Sequence, residues 1–268
     1  MKIGILGKIS IIKSDATVDK LVEILTRAGH ETTRFLASSE IAGVDVVIVM
    51  GGDGAILHSA IPAAINGVKI IGINYGTLGF LTEFEKDESE KITEILHDLE
   101  QNSCRIVKRS LLQCEVADRI FYSLNEVALQ RDYGTPNTKP TQILKVEIKS
   151  KEGVERIAGD GILITTPTGS TAYSLSAGGA ILTPEVPVFM MTPICAFSRK
   201  TRPTVFSDSD EFTVTIERGK ALLLIDGLTV AHLPENMQIK IKKAPFTADF
   251  PKRSAAAFFE RVRNKLSE

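Results

Sequence analysis

Residues 44–50 read VDVVIVM, and Gly51-Gly52-Asp53-Gly54 follows at once, ahead of AILHSAIPAAI. A β-branched apolar run with so little polar alternation is the pattern of a strand buried on both faces. A parallel sheet covered by helices on both sides provides that setting, and parallel neighbours need crossover connections. The flanking sequence supplies them. Ile3 to Leu6 reads as a buried strand, and Val18 to Ala28 carries Val18, Leu21, Val22 and Leu25 at helical spacing before Gly29. Thr32 to Leu36 and Val68 to Ile73 read as further strands. Asp87 to Glu100 reads as an amphipathic helix with Ile92, Ile95, Leu96 and Leu99 on one face. Residues 1–108 are therefore expected to form an α/β domain with a parallel sheet.

From about Ser110 the rhythm changes. LLQCEVA, RIFYSLNEVALQ, ILKVEIKS, GILITTP, FTVTIER, ALLLIDG and QIKIKK are short strand-like runs separated by clusters with Gly, Asp, Asn or Pro. This pattern predicts a mainly antiparallel, β-rich second domain over residues 109–250. Residues 251–268 end in a helical stretch with Phe258, Phe259, Val262 and Leu266 at helix spacing, expected to pack back on the first domain.

Composition removes several classes. With 32 basic and 33 acidic side chains there is no charge excess to attract nucleic acid or an anionic membrane. Any phosphate binding must come from local arrangement. Cys104, Cys114 and Cys195 show no CxxC spacing, and His30, His58, His97 and His232 show no HxxxH or HExxH pairing, so no metal site fixed by protein side chains is expected. The start, MKIGILGKIS, reads as a strand rather than a signal peptide, and no apolar run is long enough to span a bilayer. A soluble cytoplasmic protein is expected.

The chemistry is concentrated in a few segments. Gly51, Gly52 and Gly54 free the backbone for close approach at a helix start, where N–H groups and the dipole suit phosphate. A carboxylate beside phosphate is repulsive unless it binds a cation or takes a proton from a hydroxyl, so Asp53 points to phosphoryl transfer to an alcohol. The alternative is a tight turn with Asp53 as a helix cap. His58 either faces phosphate from the next helix or is a surface histidine. Asn74 follows a second parallel strand, at the same sheet edge, and is a ligand contact or a loop cap. Asn125-Glu126 lies in an alternating strand, where both serve one ligand only at a bend; the alternative is a solvated face. Gly159-Asp160-Gly161 leads into a hydroxyl-rich run from Thr166 to Gly179, suited to sugar, phosphate or amide recognition or simply a turn before a helix. Arg199, Lys200 and Arg202 read as a solvated turn or a phosphate contact, and Asp226-Gly227 as a hairpin turn or a site residue.

Taken together, GGDG at 51–54, Gly72-Ile73-Asn74 with Leu78-Gly79-Phe80-Leu81-Thr82, Asn125-Glu126, Gly159-Asp160-Gly161, TPTGSTAYSLSAGG at 166–179 and Asp226-Gly227 resemble the NAD kinase family in order and spacing. The resemblance implies an α/β domain of the GGDG-kinase type with a parallel sheet, followed by a β-rich domain that binds NAD. It implies an enzyme that phosphorylates the 2′-hydroxyl of the adenosine ribose of NAD with ATP, or another NTP or polyphosphate, to give NADP. On the matching positions it makes Asp53 the catalytic carboxylate, sets Gly54 and His58 by phosphates, and counts Gly51 and Gly52 among the binding residues. It assigns Asn125, Glu126, Asp160, Thr171, Ala172, Tyr173, Ser174 and Ser176 to the dinucleotide, and sets Asp226 near the transfer centre. It also implies magnesium carried with ATP and a homodimer or homotetramer. One basic position of the family is Ala158 here, and Arg156 on the same strand face is its expected substitute. GGDG is shared with lipid and sugar kinases, against which the TPTGSTAYSLSAGG run argues. A catalytically silent NAD-binding regulator is the other alternative, against which the carboxylates at 53, 126, 160 and 226 argue.

Overall fold

The computed structural model describes residues 1–76, 79–134, 142–253 and 258–266. The chain divides into two compact units, Met1–Lys108 with the segment from Thr247 onward, and Arg109–Phe246.

In the first unit, β1 (Lys2–Gly7), β2 (Glu31–Phe35), β3 (Val46–Met50), β4 (Lys69–Asn74) and β5 (Phe84–Glu85) form one parallel sheet in the order β2-β1-β3-β4-β5. All five residues of β3 are excluded from solvent, which the β-branched run requires. Helices α1 (Ile9–Ser14), α2 (Ala16–Arg27), α3 (Asp53–Ile65) and α4 (Ile92–Glu100) complete the layers. Val18, Leu21 and Leu25 of α2 and Ile92, Ile95 and Leu96 of α4 pack with Ile3, Ile5, Ile48 and Met50 of the sheet. Helix α3 lies against β3 and β4 and buries Ile56, Ala60 and Ala63. The strand order reverses between β1 and β3, where Gly7 and Met50 are paired. The crevice outside the carboxyl ends of strands at such a reversal is where open α/β sheets bind ligands.

In this unit α1 and β5 leave no pattern in the sequence, because six and two residues are too few to show a period. The helix expected over residues 87–100 is a 3₁₀ turn at Lys86–Lys91 followed by α4. The Glu88 carboxylate accepts the Glu85 N–H and pairs with Lys91 and Arg253, which ties that turn down locally.

The second unit is a β-sandwich. Its strands are β6 (Arg105–Val116, within this unit from Arg109), β7 (Arg119–Ser123), β8 (Glu126–Arg131), β9 (Leu144–Ser150), β10 (Gly153–Gly159), β11 (Gly161–Thr165), β12 (Val188–Ile194), β13 (Thr204–Ser207), β14 (Phe212–Arg218), β15 (Ala221–Ile225), β16 (Leu228–Leu233) and β17 (Gln238–Lys252, within this unit up to Phe246). The two sheets run β10-β9-β14-β17-β6-β7 and β13-β12-β11-β8-β15-β16, with antiparallel pairing dominant. Leu112, Val146, Val214 and Ile239 of the first sheet interdigitate with Val127, Ile162, Phe189 and Leu223 of the second. The run RIFYSLNEVALQ is not one strand. It breaks at Leu124-Asn125 into β7 and β8, which belong to different sheets. Strand β12 contains Pro193, a residue that argues against an interior strand. Here β13 pairs only with Val188–Met191, so Pro193 lies where β12 has no neighbour on that side.

The short helix α5 (Tyr173–Ser176) follows a 3₁₀ turn at Thr168–Thr171, and α6 (Phe258–Leu266) belongs to the first unit. In α6, Val262 is buried and Phe258 half-buried, but Phe259 is exposed, because one residue turns the face by about 100°. Leu78 and the Leu266 side chain lie outside the described residues. Among the described residues no helix is long and apolar enough to cross a membrane.

Candidate active site

Strand β3 delivers Gly51 to the sheet edge, and Gly52 is the N-cap of α3 with no side-chain cap bond. Asp53 is therefore the first helical residue and not the cap. Its carboxylate turns instead to the loop after β4. Oδ2 accepts the Phe80 N–H and Oδ1 the Leu81 N–H, both at 2.9 Å. A Cβ on Gly79 would lie 2.4 Å from Oδ1, so only glycine lets that loop close on the carboxylate. A third donor comes from α6, where Lys265 Nζ lies 3.0 Å from Oδ2 and 4.5 Å from the centroid of the Phe80 ring. A Cβ on Gly52 or Gly54 would meet nothing within 4 Å, so the protein's own packing does not demand glycine there. His58, one turn on, is exposed. Asn74 is buried: its amide donates to Glu85 on β5 and accepts the Gly76 N–H, the second of these being the bond of a loop cap.

In the second unit the organiser is Asp226. It forms a two-residue hairpin with Gly227 between β15 and β16, both with positive φ (49° and 78°), as a type I′ turn requires. Its buried carboxylate accepts the Ser123 hydroxyl at 2.6 Å and the N–H groups of Leu124, Asn125 and Glu126 at 2.7–3.2 Å. Four donors converging on one carboxylate are what break RIFYSLNEVALQ. The bend lets Asn125 and Glu126 leave strict alternation. The far side of Asn125 is held too: its carbonyl accepts the Thr166 N–H, and a Cβ on Gly169 would lie 2.2 Å from that oxygen.

Burial and the neighbouring Asp226 charge push the Glu126 carboxyl up to about 7. Burial also raises Asp226, against the four hydrogen bonds that favour its charged form. Of the two, Asp226 is the better carrier of the negative charge, since it has those donors and Glu126 Oε2 has no partner among the described residues. A carboxyl raised on folding binds its proton more tightly folded than unfolded. Its contribution is full below its ordinary value of 4.5 and is lost as pH rises through about 7. Glu126→Gln should remove this dependence. Urea unfolding across pH 4.5–7.5 should show the parent losing about 3 kcal/mol relative to Glu126→Gln. Identical pH profiles for the two proteins would refute the assignment.

The remaining candidates separate by position. Tyr173 is half-exposed and its hydroxyl accepts from Gln130 at 2.6 Å. Asp160 accepts from the Tyr133 hydroxyl at 3.1 Å and pairs with Arg131 at 3.4 Å. Thr171 and Ala172 are half-buried and Ser176 is exposed. Ser174 is fully buried and bonded to Thr192 Oγ1 at 2.8 Å, so its hydroxyl faces the interior. The exposed Arg156 pairs with Glu217 and with the buried Glu147, its cross-strand partner. Arg199, Lys200 and Arg202 form an exposed turn.

Residues 8–103 match the model of the ATP-NAD kinase N-terminal domain, and residues 124–252 that of the ATP-NAD kinase C-terminal domain. The chain belongs to the NAD kinase family. Among its relatives, the NAD kinase of Methanothermobacter thermautotrophicus is 32% identical, covering 100% of this chain and 97% of that protein. The NAD kinase of Methanospirillum hungatei is 38% identical over 83% of this chain and 79% of its own. Among solved structures, an NAD kinase from Archaeoglobus fulgidus in complex with ATP superposes with a TM-score of 0.78 at 27% identity, covering 100% and 98% of the two chains. Yeast NADH kinase complexed with NADH shares the fold, with a TM-score of 0.81 at 23% identity and coverage of 100% and 87%.

Within this NAD kinase fold, Lys265 and Gln130 had no motif to announce them. Lys265 is 212 residues from Asp53, and local spacing carries no sign of the contact. Among the described residues no group of three or more His, Cys, Asp or Glu side chains is arranged to hold a metal.

Proposed function

We propose that this chain transfers the terminal phosphoryl group of ATP to the 2′-hydroxyl of the adenosine ribose of NAD, giving NADP and ADP. The observation that carries the reading is the fixed Asp53 carboxylate. An ionised carboxylate offers about four acceptor sites. Oδ2 uses two, for Phe80 and Lys265, and Oδ1 uses one, for Leu81. Among the described residues, one lone pair on Oδ1 is left for a hydroxyl. In the transfer, Asp53 takes the hydroxyl proton as that oxygen bonds to the terminal phosphorus and the bond to the ADP oxygen breaks. The open start of α3, with Gly52 and Gly54, receives phosphate oxygens, and His58 lies one turn further along.

Asn125, at the bend set by Asp226, presents its amide to the dinucleotide. Glu126, able to donate or accept near pH 7, takes a ribose hydroxyl. Tyr173, Thr171, Ala172, Ser176 and Asp160 complete the same site, with the Tyr173 ring against an apolar face of the ligand. Asp226 acts by shaping the bend. Ser174 and Asn74 act through their own segments, and Arg156 is committed to two carboxylates. Magnesium comes with the ATP phosphates, which it neutralises, because it binds few protein groups and keeps much of its water shell. A homodimer or homotetramer is the expected working form.

The test is a phosphoryl-transfer assay with purified protein, ATP, Mg²⁺ and NAD, read with an NADP-specific dehydrogenase. NADP at enzymatic rates supports the reading, and replacing ATP with polyphosphate defines the donor range. NAD binding without NADP would make the chain a silent regulator. Absence of NAD binding would direct the search to lipid or sugar acceptors.

A further inference from the structure

Among the described residues, the Asp53 carboxylate has one partner outside the GGDG segment and its facing loop. Lys265, on α6, places its ammonium between Oδ2 of Asp53 at 3.0 Å and the face of the Phe80 ring at 4.5 Å. Phe80 also donates its own N–H to Oδ2, so backbone, ring, ammonium and carboxylate form one closed cluster. The ammonium is held on two sides, by charge and by the ring's negative face. Both charged side chains remain partly exposed, so a ligand can reach them.

This arrangement answers a problem that the reaction poses. The acceptor hydroxyl must approach a carboxylate while a polyanionic donor approaches the same place. With only the Phe80 and Leu81 N–H groups to hold it, the carboxylate would still meet the donor with its full negative charge and with Oδ2 as open to the hydroxyl as Oδ1. An ammonium fixed on Oδ2 offsets that charge and occupies that oxygen, leaving Oδ1 for the hydroxyl. With one N–H on Oδ2 and one side against the Phe80 ring, the partly exposed ammonium can still donate to another acceptor, such as a phosphate oxygen.

We propose that Lys265 is a positioning residue of the phosphoryl-transfer centre, setting the orientation and local charge of Asp53 from the C-terminal helix. This rests on the reading of the chain as an NAD kinase with Asp53 at its centre. Lys265→Met removes the charge while keeping most of the apolar stem. At saturating ATP and NAD it should lower kcat by roughly 10- to 100-fold with the NAD KM within about threefold of the parent, because misorientation acts on the chemical step rather than on binding. Lys265→Arg keeps a cation and should restore most of the rate. In an Asp53→Ala background Lys265→Met should cost less than about twofold, since its route of action is gone. Val262→Ala tests simple docking of α6: it removes buried packing without touching the cluster, and should lower the melting temperature but not kcat.

A folded Lys265→Met protein with parental kcat overturns the proposal. So does an equal loss of kcat in Val262→Ala, which would make Lys265 an anchor for the helix, or an undiminished effect in the Asp53→Ala background. If Lys265→Met does not fold, Lys265→Gln carries the same expectations. A parent protein that makes no NADP would instead defeat the functional reading, so the two failures are distinguishable.

Discussion

Asp53→Ala is expected to lower the rate of NADP formation by roughly 10²–10⁴-fold, the range for loss of general acid–base catalysis. The carboxylate is not the cap of α3, and with two N–H groups and the Lys265 ammonium bound it keeps, among the described residues, one acceptor site on Oδ1 for a hydroxyl. Removing it leaves the Phe80 and Leu81 N–H groups without their acceptor, but this edge is partly exposed and water can replace it. The fold should therefore persist, with an unchanged circular dichroism spectrum and intact NAD binding by calorimetry. Turnover within about tenfold of the parent, in a folded protein, would remove Asp53 from the reaction.

Asp226→Ala is expected to have the largest effect on stability. Four donors now converge on one buried carboxylate, and the substitution orphans a hydroxyl and three consecutive N–H groups. Breaking a buried, hydrogen-bonded charge site costs about 3–5 kcal/mol. Part of the loss returns, because Glu126 is freed of a like charge nearby. The bend at Asn125 should relax as well, so NAD affinity should fall alongside the urea midpoint. A loss under about 1 kcal/mol would mean that strand pairing, not the carboxylate, holds the bend.

These residues show where reading the sequence succeeds and where it stops. Strand β3 and the glycine-rich turn after it are legible because burial on both faces leaves a local signature, VVIVM without alternation. The β-rich character of the second unit is legible in the same way, from short alternating runs. The division of RIFYSLNEVALQ between two sheets is not, because the group that breaks it lies about a hundred positions later. Lys265 is hidden for the same reason: it looks like any helix lysine until α6 is placed. Asn74 and Ser174 stand in segments that attract functional interpretation, yet each spends its polar atoms on neighbouring protein groups. The Asp53 carboxylate is the converse: nothing local says that it will be gripped by N–H groups 27 and 28 residues away.

The Asp226–Gly227 turn also sets an order of events. A two-residue hairpin needs only its own strands and closes within about 1–10 μs. The residues it grips lie about a hundred positions earlier, so the grip must wait for loop closure across much of the sandwich. The turn is thus an early, local event whose carboxylate is put to use late. Until it docks, residues 123–126 are free to continue as one strand, the course their own alternation favours. A nascent chain can hold most of its sheets and still have no bend at Asn125. Competence for the dinucleotide would then arrive as a separate, final step of folding rather than growing in proportion to secondary structure.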